Sequence, residues 1–263
     1  MIAGLLILAV TAIAAVGYGL WEANGIQVKK YRVSLSQLRG KRLVVFSDVH
    51  LGGYTKMGQL HRCVKAINRQ DADWVAFAGD FSDKYRTDYR GIEEPAIDAL
   101  KKIRAKLGKF AVTGNNDKHK KQAWDFAALC LVKGGFTLLR NENVSLAENV
   151  YLVGVEEAKF GPTNLKKALS GASGKTILLV HQPDFLEEAA KHGVDLQICG
   201  HSHGGQIWIP FLGPKFLPEG AKKYARGVHT LEKTTLYISN GVGVHTLPFR
   251  FLARPDILVF DFE

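Results

Sequence analysis

The segment LVVFSDVH (43–50) joins four apolar residues to a short polar motif that contains an aspartate and a histidine. Apolar runs of four or five residues that end in such motifs are typical of buried strands in an α/β sheet. Four more runs of this kind follow along the chain: WVAFA (74–78), FAVT (110–113), ILLV (177–180) and LQIC (196–199). The sequence therefore predicts an α/β fold in which five buried strands lead into polar motifs.

Polar side chains follow every one of these runs. Because ligands of α/β sheets bind at the carboxyl ends of the strands, one sheet edge would carry two aspartates, one asparagine and four histidines. These residues are Asp48, His50, Asp80, Asn115, His181, His201 and His203. A mixture of imidazole and carboxylate suits Mn, Fe, Zn, Co or Ni better than it suits Ca or Mg alone. The set is what two adjacent divalent metal ions require.

The spacing of these residues supports the same interpretation. Asp48 and His50 are two residues apart, so in an extended chain both side chains would leave the same face, and the two histidines of GHSH (200–203) share this spacing. Asp80 follows Asp48 by 32 residues, and Asn115 follows Asp80 by 35. Each interval is close to the length of one strand-helix-strand unit, about 30 residues.

The order D-x-H, G-D, G-N-x-D, H and G-H-x-H between Asp48 and His203 resembles the calcineurin-like metallophosphoesterases. The segments GHSHGGQIWIP (200–210), YARG (224–227) and LYISNGVGVHTLPFRFLARPDI (236–257) are similar to the membrane-attached branch of that family. That branch includes predicted phosphodiesterases of bacterial envelopes, and one group in chlamydia-like bacteria hydrolyses UDP-2,3-diacylglucosamine. The resemblance implies a four-layer αββα sandwich.

The resemblance also implies the ligands of two divalent metal ions, with Mn preferred and Fe, Zn, Co or Mg as alternatives. The implied ligands are Asp48, His50 and His203 for the first metal, Asn115, His181 and His201 for the second, and Asp80 as the bridge. A metal-bound water would then attack phosphorus in line, and the metals would neutralise charge on the phosphoryl oxygens. We therefore expect a phosphodiesterase or pyrophosphatase.

The chain departs from the family at one position, because the usual motif is Gly-Asn-His-Asp/Glu and Asn116 replaces the histidine. An amide can donate a hydrogen bond but cannot deliver a proton, which favours pyrophosphate or activated diester substrates. His119 and His245 are candidate substitute donors; alternatively, His119 is an exposed residue of a first helical turn and His245 packs in the rim. Asp117 is expected to orient the loop or cap a helix that begins near Lys118.

The N-terminus predicts a membrane anchor over residues 1–22, followed by one catalytic domain over residues 23–263. Residues 2–20 form a mostly apolar, uncharged run, which as a helix nearly spans a hydrocarbon core of about 30 Å. A cleaved signal peptide is the alternative, but no basic residue precedes the apolar run. Basic residues follow the span instead, so the positive-inside rule predicts a single-pass protein of the inner membrane with its catalytic domain in the cytoplasm.

The formal net charge is +10, which is compatible with a nucleic acid or with anionic lipid as the partner. Because the anchor already predicts a membrane location, we expect lipid and no nucleic acid. The three dispersed cysteines argue against a disulfide framework. The sequence does not predict the oligomeric state.

Taken together, these features predict hydrolysis of a lipid-linked phosphate, with UDP-2,3-diacylglucosamine of lipid A biosynthesis as the preferred substrate. The alternatives are a broad-specificity envelope phosphodiesterase and a metal-binding pseudoenzyme that recruits a partner, although the full ligand set argues against the latter.

Two loops and four helices complete the predictions. Asp83 either tunes the site or solvates its loop, and IWIPFLGPKFLP (207–218) either packs on the core or contacts an acyl chain or the bilayer. Helices are predicted at 57–70, 93–106, 118–133 and 183–191.

Overall fold

The computed structural model describes residues 2–86, 88–214 and 216–263. Three residues lie outside the described residues: Met1 of the predicted anchor, Thr87 of the loop that follows Asp80, and Lys215 of the 207–218 loop. The described α-helices are α1 (Ile2–Asn24), α2 (Met57–Asn68), α3 (Glu93–Lys101), α4 (Asn115–Lys118), α5 (Lys121–Lys133), α6 (Leu165–Ala168) and α7 (Leu186–Lys191). Short 3-10 turns occupy Ser36–Leu38, Pro183–Phe185 and His203–Gly205.

The strands form two six-stranded sheets and one short hairpin. The strands of the first sheet, given in spatial order, are β1 (Gln27–Val33), β14 (Asp256–Phe262), β2 (Arg42–Phe46), β3 (Trp74–Ala78), β4 (Gly108–Val112) and β5 (Thr137–Leu138). Those of the second sheet are β12 (Gly227–Leu231), β13 (Thr234–Ile238), β9 (Leu196–Cys199), β8 (Lys175–Leu179), β7 (Val150–Gly154) and β6 (Glu142–Ala147). The hairpin pairs β10 (Trp208–Ile209) with β11 (Gly213–Pro214).

The central strands of both sheets run parallel. β2, β3, β4 and β5 pair in parallel, as do β7, β8, β9 and β13. Strand β14 runs antiparallel to β2. At the two edges of the second sheet, β6 runs antiparallel to β7 and β12 runs antiparallel to β13. The carboxyl ends of β2, β3, β4, β8 and β9 therefore carry the five polar motifs.

The two sheets pack face to face, and helices cover both outer faces. Alternate residues of β2 show the arrangement: Leu43 and Val45 face the core between the sheets, whereas Val44 and Phe46 face the layer of α2, α3 and α5. Helices α6 and α7 cover the second sheet. Because the strands are buried on both faces, they read as continuous apolar runs. The prediction of a four-layer αββα sandwich is confirmed.

All four predicted helices have different bounds in the structure. The helix predicted at 57–70 ends at Asn68, and the one predicted at 183–191 is the 3-10 turn Pro183–Phe185 followed by α7. The helix predicted at 93–106 ends at Lys101, because the backbone amides of Lys106 and Leu107 instead donate to the carbonyls of Ala72 and Asp73. The helix predicted at 118–133 is two helices, since the extended backbone of residue 120 separates α4 from α5.

Helix α1 is exposed along most of its length, and only its last turns contact the domain. Only 6% of its apolar stretch is buried. By contrast, Gly19, Glu22 and Ala23 are buried, and Gly19 packs directly against Phe249. The helix is therefore long and apolar enough to cross a membrane, and it is joined to the domain at one end.

Candidate metal centre

The structure brings all of the predicted histidine and carboxylate ligands into two adjacent buried groups. One group contains Asp48, His50 and His203, and the other contains Asp80, His181 and His201. Each residue comes from the loop that directly follows one of the strands β2, β3, β8 and β9. Asn115 lies at the first position of α4, directly after the loop that follows β4.

Distances within the centre place Asp80 between the two groups. The Nε2 atoms of His50 and His203 are 2.9 Å apart, and His201 Nδ1 lies 3.1 Å from His181 Nε2. Asp80 Oδ2 lies 3.6 Å from His50 Nε2 and 3.2 Å from His181 Nε2. A single carboxylate thus contacts one histidine of each group, which is the geometry that a bridging ligand needs.

The backbone of the centre is not extended, so the sequence-based argument from strand periodicity is wrong in its detail. Asp48, His50, Asp80, His201 and His203 all have left-handed φ angles, between 46° and 71°. Such conformations are uncommon for residues other than glycine and concentrate at functional sites. The paired ligands share the site because of these left-handed turns, and not because they alternate along a strand.

Two glycines allow the loops to approach the carboxylates closely. A Cβ atom at Gly114 would collide with Asp80 Oδ1, and one at Gly200 would collide with Asp48 Oδ2 and Ser47 Oγ. The glycines of the G-N-x-D and G-H-x-H motifs therefore make room for the ligands.

Hydrogen bonds to backbone carbonyls orient two of the imidazoles. His181 Nδ1 lies 2.8 Å from the carbonyl oxygen of Ala78, and His201 Nε2 lies 2.7 Å from that of Glu219. Contacts of this kind fix the orientation of a metal-binding histidine ring and the nitrogen that it presents to the metal. The other ring nitrogens, His181 Nε2 and His201 Nδ1, face each other within the centre.

The donor set fits divalent cations. Asn115 Oδ1 is buried and has no hydrogen-bond partner among the described residues. Buried polar atoms are usually paired, so this orphaned acceptor indicates a group that a ligand completes. Nitrogen and oxygen donors in this mixture suit first-row transition metals.

The electrostatics of the centre show the same demand for positive charge. Burial opposes ionisation of Asp80, but His181 and His50 lower the pKa of its carboxyl. Burial likewise disfavours a charged His181, yet the Asp80 carboxylate raises its pKa to about 10. Burial and the neighbouring His181 lower the pKa of His201 to about 4. The buried carboxylate of Asp80 therefore attracts cationic charge into the centre, and without a metal that charge resides on His181.

Asn116 and Asp117 hold the loop that carries Asp80. The amide N–H of Asn116 donates to Asp80 Oδ1 at 2.8 Å, and its side-chain amide donates to Oδ2. Asp117 accepts hydrogen bonds from the backbone amides of Gly114, Asp80 and Ser82. Asp117 therefore orients the loop, as expected from the sequence. The helix here begins at Asn115 and not near Lys118, which corrects the predicted boundary.

The two candidate proton donors differ in position. His245 lies against the centre, with its ring stacked on His50 at 5.1 Å between centroids, and Tyr85 stacks on His245. Burial, aided by His50, lowers the pKa of His245 to about 3, so the ring is neutral. His119 is exposed, and its ring contacts Phe160. The structure thus brings the His245 ring to the centre, whereas the His119 ring contacts Phe160, which belongs to neither of the two ligand groups.

Asp83 belongs to the surroundings of the centre. It is only 2% exposed and forms a further group of ligand-capable atoms with His50 and His245. The alternative that Asp83 merely solvates its loop is therefore wrong.

Sequence reasoning missed Arg250, which supports His203. Its side chain is fully buried, and Nη1 donates to the carbonyls of His203 at 3.2 Å and Ala253 at 2.7 Å. Burial lowers its pKa to about 10, against the opposing effect of Asp256. The one available signal was an arginine between two phenylalanines, Phe249 and Phe251, in an apolar segment.

The model of the calcineurin-like phosphoesterase family matches residues 41–205 of the chain. The chain is 33% identical to an uncharacterized metallophosphoesterase, YkuE, of Bacillus subtilis, over 97% of this chain and 92% of that protein. It is 29% identical to a transmembrane protein with metallophosphoesterase domain of Danio rerio, over 96% of this chain and 61% of the fish protein. An uncharacterized metallophosphoesterase of Aquifex aeolicus is also 29% identical, over 92% of this chain and 94% of that protein.

Fold and centre together define a metal-dependent hydrolase with a site for two divalent cations. The chain belongs to the calcineurin-like phosphoesterase family.

Proposed function

We propose that this protein is a membrane-anchored phosphohydrolase with a two-metal centre, and that its substrates are amphiphilic phosphodiesters or pyrophosphates. The observation that carries the proposal is the short path from α1 to the metal centre. The backbone amide of Arg250 donates to the carbonyl of Gly19 at 3.2 Å, and the Arg250 guanidinium donates to the carbonyl of His203. One residue thus connects the end of the apolar helix to a candidate metal ligand.

The exposure of α1 supports its role as an anchor. A long apolar helix in a soluble core would be mostly buried, whereas this one is buried only at its last turns. Exposed apolar surface of this size marks contact with a membrane or a partner. Since the basic residues follow the span, we place residues 23–263 on the cytoplasmic side of the inner membrane. The membrane-protein name of the Danio rerio relative agrees with an anchor.

We assign the first metal to Asp48, His50 and His203, the second to Asn115, His181 and His201, and the bridge to Asp80. When bound, two such cations supply a deprotonated water as nucleophile and offset charge on the phosphoryl oxygens, and we propose Mn as the physiological metal. Asn116 holds both oxygens of Asp80 in place, so its side chain acts on the carboxylate and cannot protonate a leaving group. A leaving group that is already stable as an anion, such as a nucleotide phosphate, needs no proton.

Neutral His245 is positioned to help the leaving group by hydrogen bonding. Its Nδ1 atom is buried without a partner among the described residues, and the ring stands over His50. A hydrogen-bond donor beside the metal centre stabilises developing negative charge in the transition state. We give His119 no such role, because it is exposed beside Phe160.

Within this class, our preferred substrate is UDP-2,3-diacylglucosamine, cut to UMP and 2,3-diacylglucosamine 1-phosphate in lipid A biosynthesis. It combines a nucleotide leaving group with two acyl chains that would reside in the membrane beside α1. Broad hydrolysis of other envelope phosphodiesters is the alternative within the same chemistry. A metal-binding pseudoenzyme is disfavoured, because the buried ligand set is complete.

The test uses the full chain in phospholipid vesicles, stripped of metal and refilled with Mn²⁺. We expect release of UMP from UDP-2,3-diacylglucosamine, and we expect Asp80→Ala to abolish it because both metals lose a ligand. A soluble chromogenic phosphodiester serves as the reference substrate. Hydrolysis of the reference without release of UMP would discard the proposed substrate and keep the metal centre. Bound metal without turnover of either substrate would favour the pseudoenzyme.

A further inference from the structure

The β10–β11 hairpin exposes an apolar tip, and its base lies near the last turns of α1. The tip consists of Ile209, Phe211 and Leu212; Phe211 is fully exposed and Leu212 is 80% exposed. Phe211 and Leu212 lie in the turn between the two short paired strands, and Ile209 is the last residue of β10. Large apolar side chains grouped in this way mark a contact surface.

The base of the hairpin is bound to the segment on which α1 docks. The backbone amide of Trp208 donates to the carbonyl of Phe251 at 2.8 Å, and the amide of Phe251 donates to the carbonyl of Gln206 at 2.9 Å. Phe251 in turn packs edge-on against Tyr18 of α1, with ring centroids 5.7 Å apart. Only the segment around Phe251 therefore separates the base of the hairpin from α1.

This level of α1 corresponds to the edge of a bilayer. The apolar run 2–20 as a helix measures about 28 Å, which matches a hydrocarbon core of about 30 Å. Tyr18 and Gly19 then lie just inside the boundary between the acyl chains and the headgroups. Since the hairpin base contacts the segment bound to these residues, the hairpin starts at the same boundary.

Two arginine–tryptophan pairs flank this region. The guanidinium of Arg226 lies 3.3 Å from the centroid of the Trp208 ring, and that of Arg254 lies 5.4 Å from the centroid of Trp21. Tryptophan and arginine at this depth are typical of the interface, where the ring contacts the acyl boundary and the cation meets anionic headgroups. Leu247 and Leu252, on either side of Phe251 in the sequence, add two more exposed apolar side chains to this segment.

We infer that the apolar tip of the hairpin inserts into the acyl region of the same bilayer that holds α1, as a second membrane contact. The inference rests on the proposed anchor. Gln206, at the base of the hairpin, also donates to the carbonyl of His245 at 2.7 Å. Two contacts would therefore hold the rim of the metal centre against the lipid surface, where an amphiphilic substrate keeps its phosphate at the interface.

The experiment places an environment-sensitive fluorophore on single introduced cysteines of the full chain in vesicles that contain an acyl-linked quencher lipid. The labelled variants are Leu212→Cys at the tip, Leu8→Cys in α1 and Leu107→Cys before β4, all at exposed leucines. Native Cys63, Cys130 and Cys199 are buried, and burial raises the pKa of each thiol, so they stay unlabelled. Leu107 lies at the amino ends of the strands, opposite the centre.

We expect quenching and a blue shift at positions 212 and 8, and neither at position 107. Quenching at position 8 without quenching at position 212 would overturn the inference and leave the anchor intact. No quenching at either position would overturn both. In a second variant, Phe211→Asp should reduce quenching at position 212 but not at position 8, whereas Val132→Asp, at an exposed site on α5, should change neither. Equal quenching in the Phe211→Asp protein would contradict insertion of the tip.

Discussion

Left-handed backbone at the candidate ligands explains how a D-x-H motif delivers two ligands to one point. Asp48 and His50 have φ angles of 52° and 46°, while Val49 between them packs in the core beneath α2. Each such conformation costs on the order of 1–3 kcal/mol, which the surrounding structure must offset. The surrounding structure therefore holds the ligand loops in this conformation. The loops can approach the carboxylates only where the contacting residues, such as Gly114, have no side chain.

Replacing Gly114 with alanine tests that condition at one atom. The φ angle of Gly114 is −105°, so alanine is not strained there, but its Cβ would collide with Asp80 Oδ1. We expect a loss of metal affinity and of kcat/KM by about 10- to 100-fold, because the supporting contact of a ligand is displaced. Metal content by mass spectrometry and hydrolysis of a soluble phosphodiester measure the effect.

Gly58→Ala is the matched control, since the nearest atom to its added Cβ is Arg62 Nη1 at 3.7 Å and the residue lies within α2. This variant should keep full activity and gain about 0.5–1 kcal/mol of stability. Equal activity of both alanine variants would show that Asp80 can move without affecting the centre.

At the scale of elements, Glu156 connects the two sheets beside the centre. It follows β7, and its carboxylate pairs with Lys118 Nζ at 2.8 Å, at the end of α4, and with Arg140 Nε, between β5 and β6. Lys118 also lies over the ring of Trp124 of α5, 3.6 Å from its centroid. The second sheet thus holds the helix that carries Asn115.

The variant Glu156→Gln should destabilise the protein in a pH-dependent way. Burial favours the neutral acid, but the pairs with Lys118 and Arg140 outweigh it and lower the pKa of Glu156 below its ordinary 4.5. A lowered folded-state pKa gives stability that is present above pH 4.5 and is lost as the pH falls through the folded pKa. We expect a deficit of about 1–3 kcal/mol at pH 7 that shrinks below about pH 4.5.

Urea unfolding of the native protein and the variant across this pH range measures the deficit. The control is Glu142→Gln, because Glu142 is exposed on edge strand β6. A deficit that stays constant down to the most acidic pH at which both proteins still fold would show that the Glu156→Gln variant has lost a packing contact and not an ionic one.

The elements that the sequence predicted well are those that local pattern determines. The strands β2, β3, β4, β8 and β9 coincide with the apolar runs to within two residues, because burial on both faces leaves few polar positions within them, such as the buried Gln197 of β9. The break between α4 and α5 was missed, since Lys120 is extended without a glycine or proline to mark it. The early end of α3 was also missed, because backbone pairing to the segment before β3 competes with the helix.

At the metal centre, too, the sequence predicts what local pattern determines and misses what depends on distant contacts. The histidine and carboxylate ligands were predicted because each follows a buried strand, so topology alone brings them to one edge. Arg250 was not, because its role depends on a contact between the end of α1 and the loop after β9, which no local pattern records. Residues that support a ligand from a distant segment become visible only in the fold.

At the scale of the whole molecule, the last turns of α1 are part of the domain, although the rest of the helix is not. Asn24 accepts a hydrogen bond from Arg62 at 2.9 Å, Gly19 packs against Phe249, and the buried Arg250 lies between Gly19 and His203. The boundary predicted after residue 22 therefore divides a helix whose end belongs structurally to the domain.

Two truncations distinguish the anchoring role of α1 from the structural role of its last turns. Removal of residues 1–16 deletes most of the exposed apolar helix but keeps Gly19 and Ala23 in their contacts. Removal of residues 1–25 also uncovers Phe249, which should lower stability by about 2–3 kcal/mol, the value for one buried apolar side chain. In a domain of this size that loss lowers the Tm by about 4–12 °C. Because Arg250 then loses its contact with α1, metal affinity should fall as well.

The shorter truncation should therefore weaken membrane binding, because only the hairpin contact remains, while keeping the Tm, the metal content and the hydrolysis of a soluble phosphodiester. The longer one should impair all of these properties. Thermal unfolding with and without Mn²⁺ distinguishes the two, because a ligand that binds only the folded state raises the Tm in proportion to its affinity. If both truncated proteins unfold at the same temperature and respond equally to Mn²⁺, α1 is only a tether, and its contact with Arg250 does not support the metal centre.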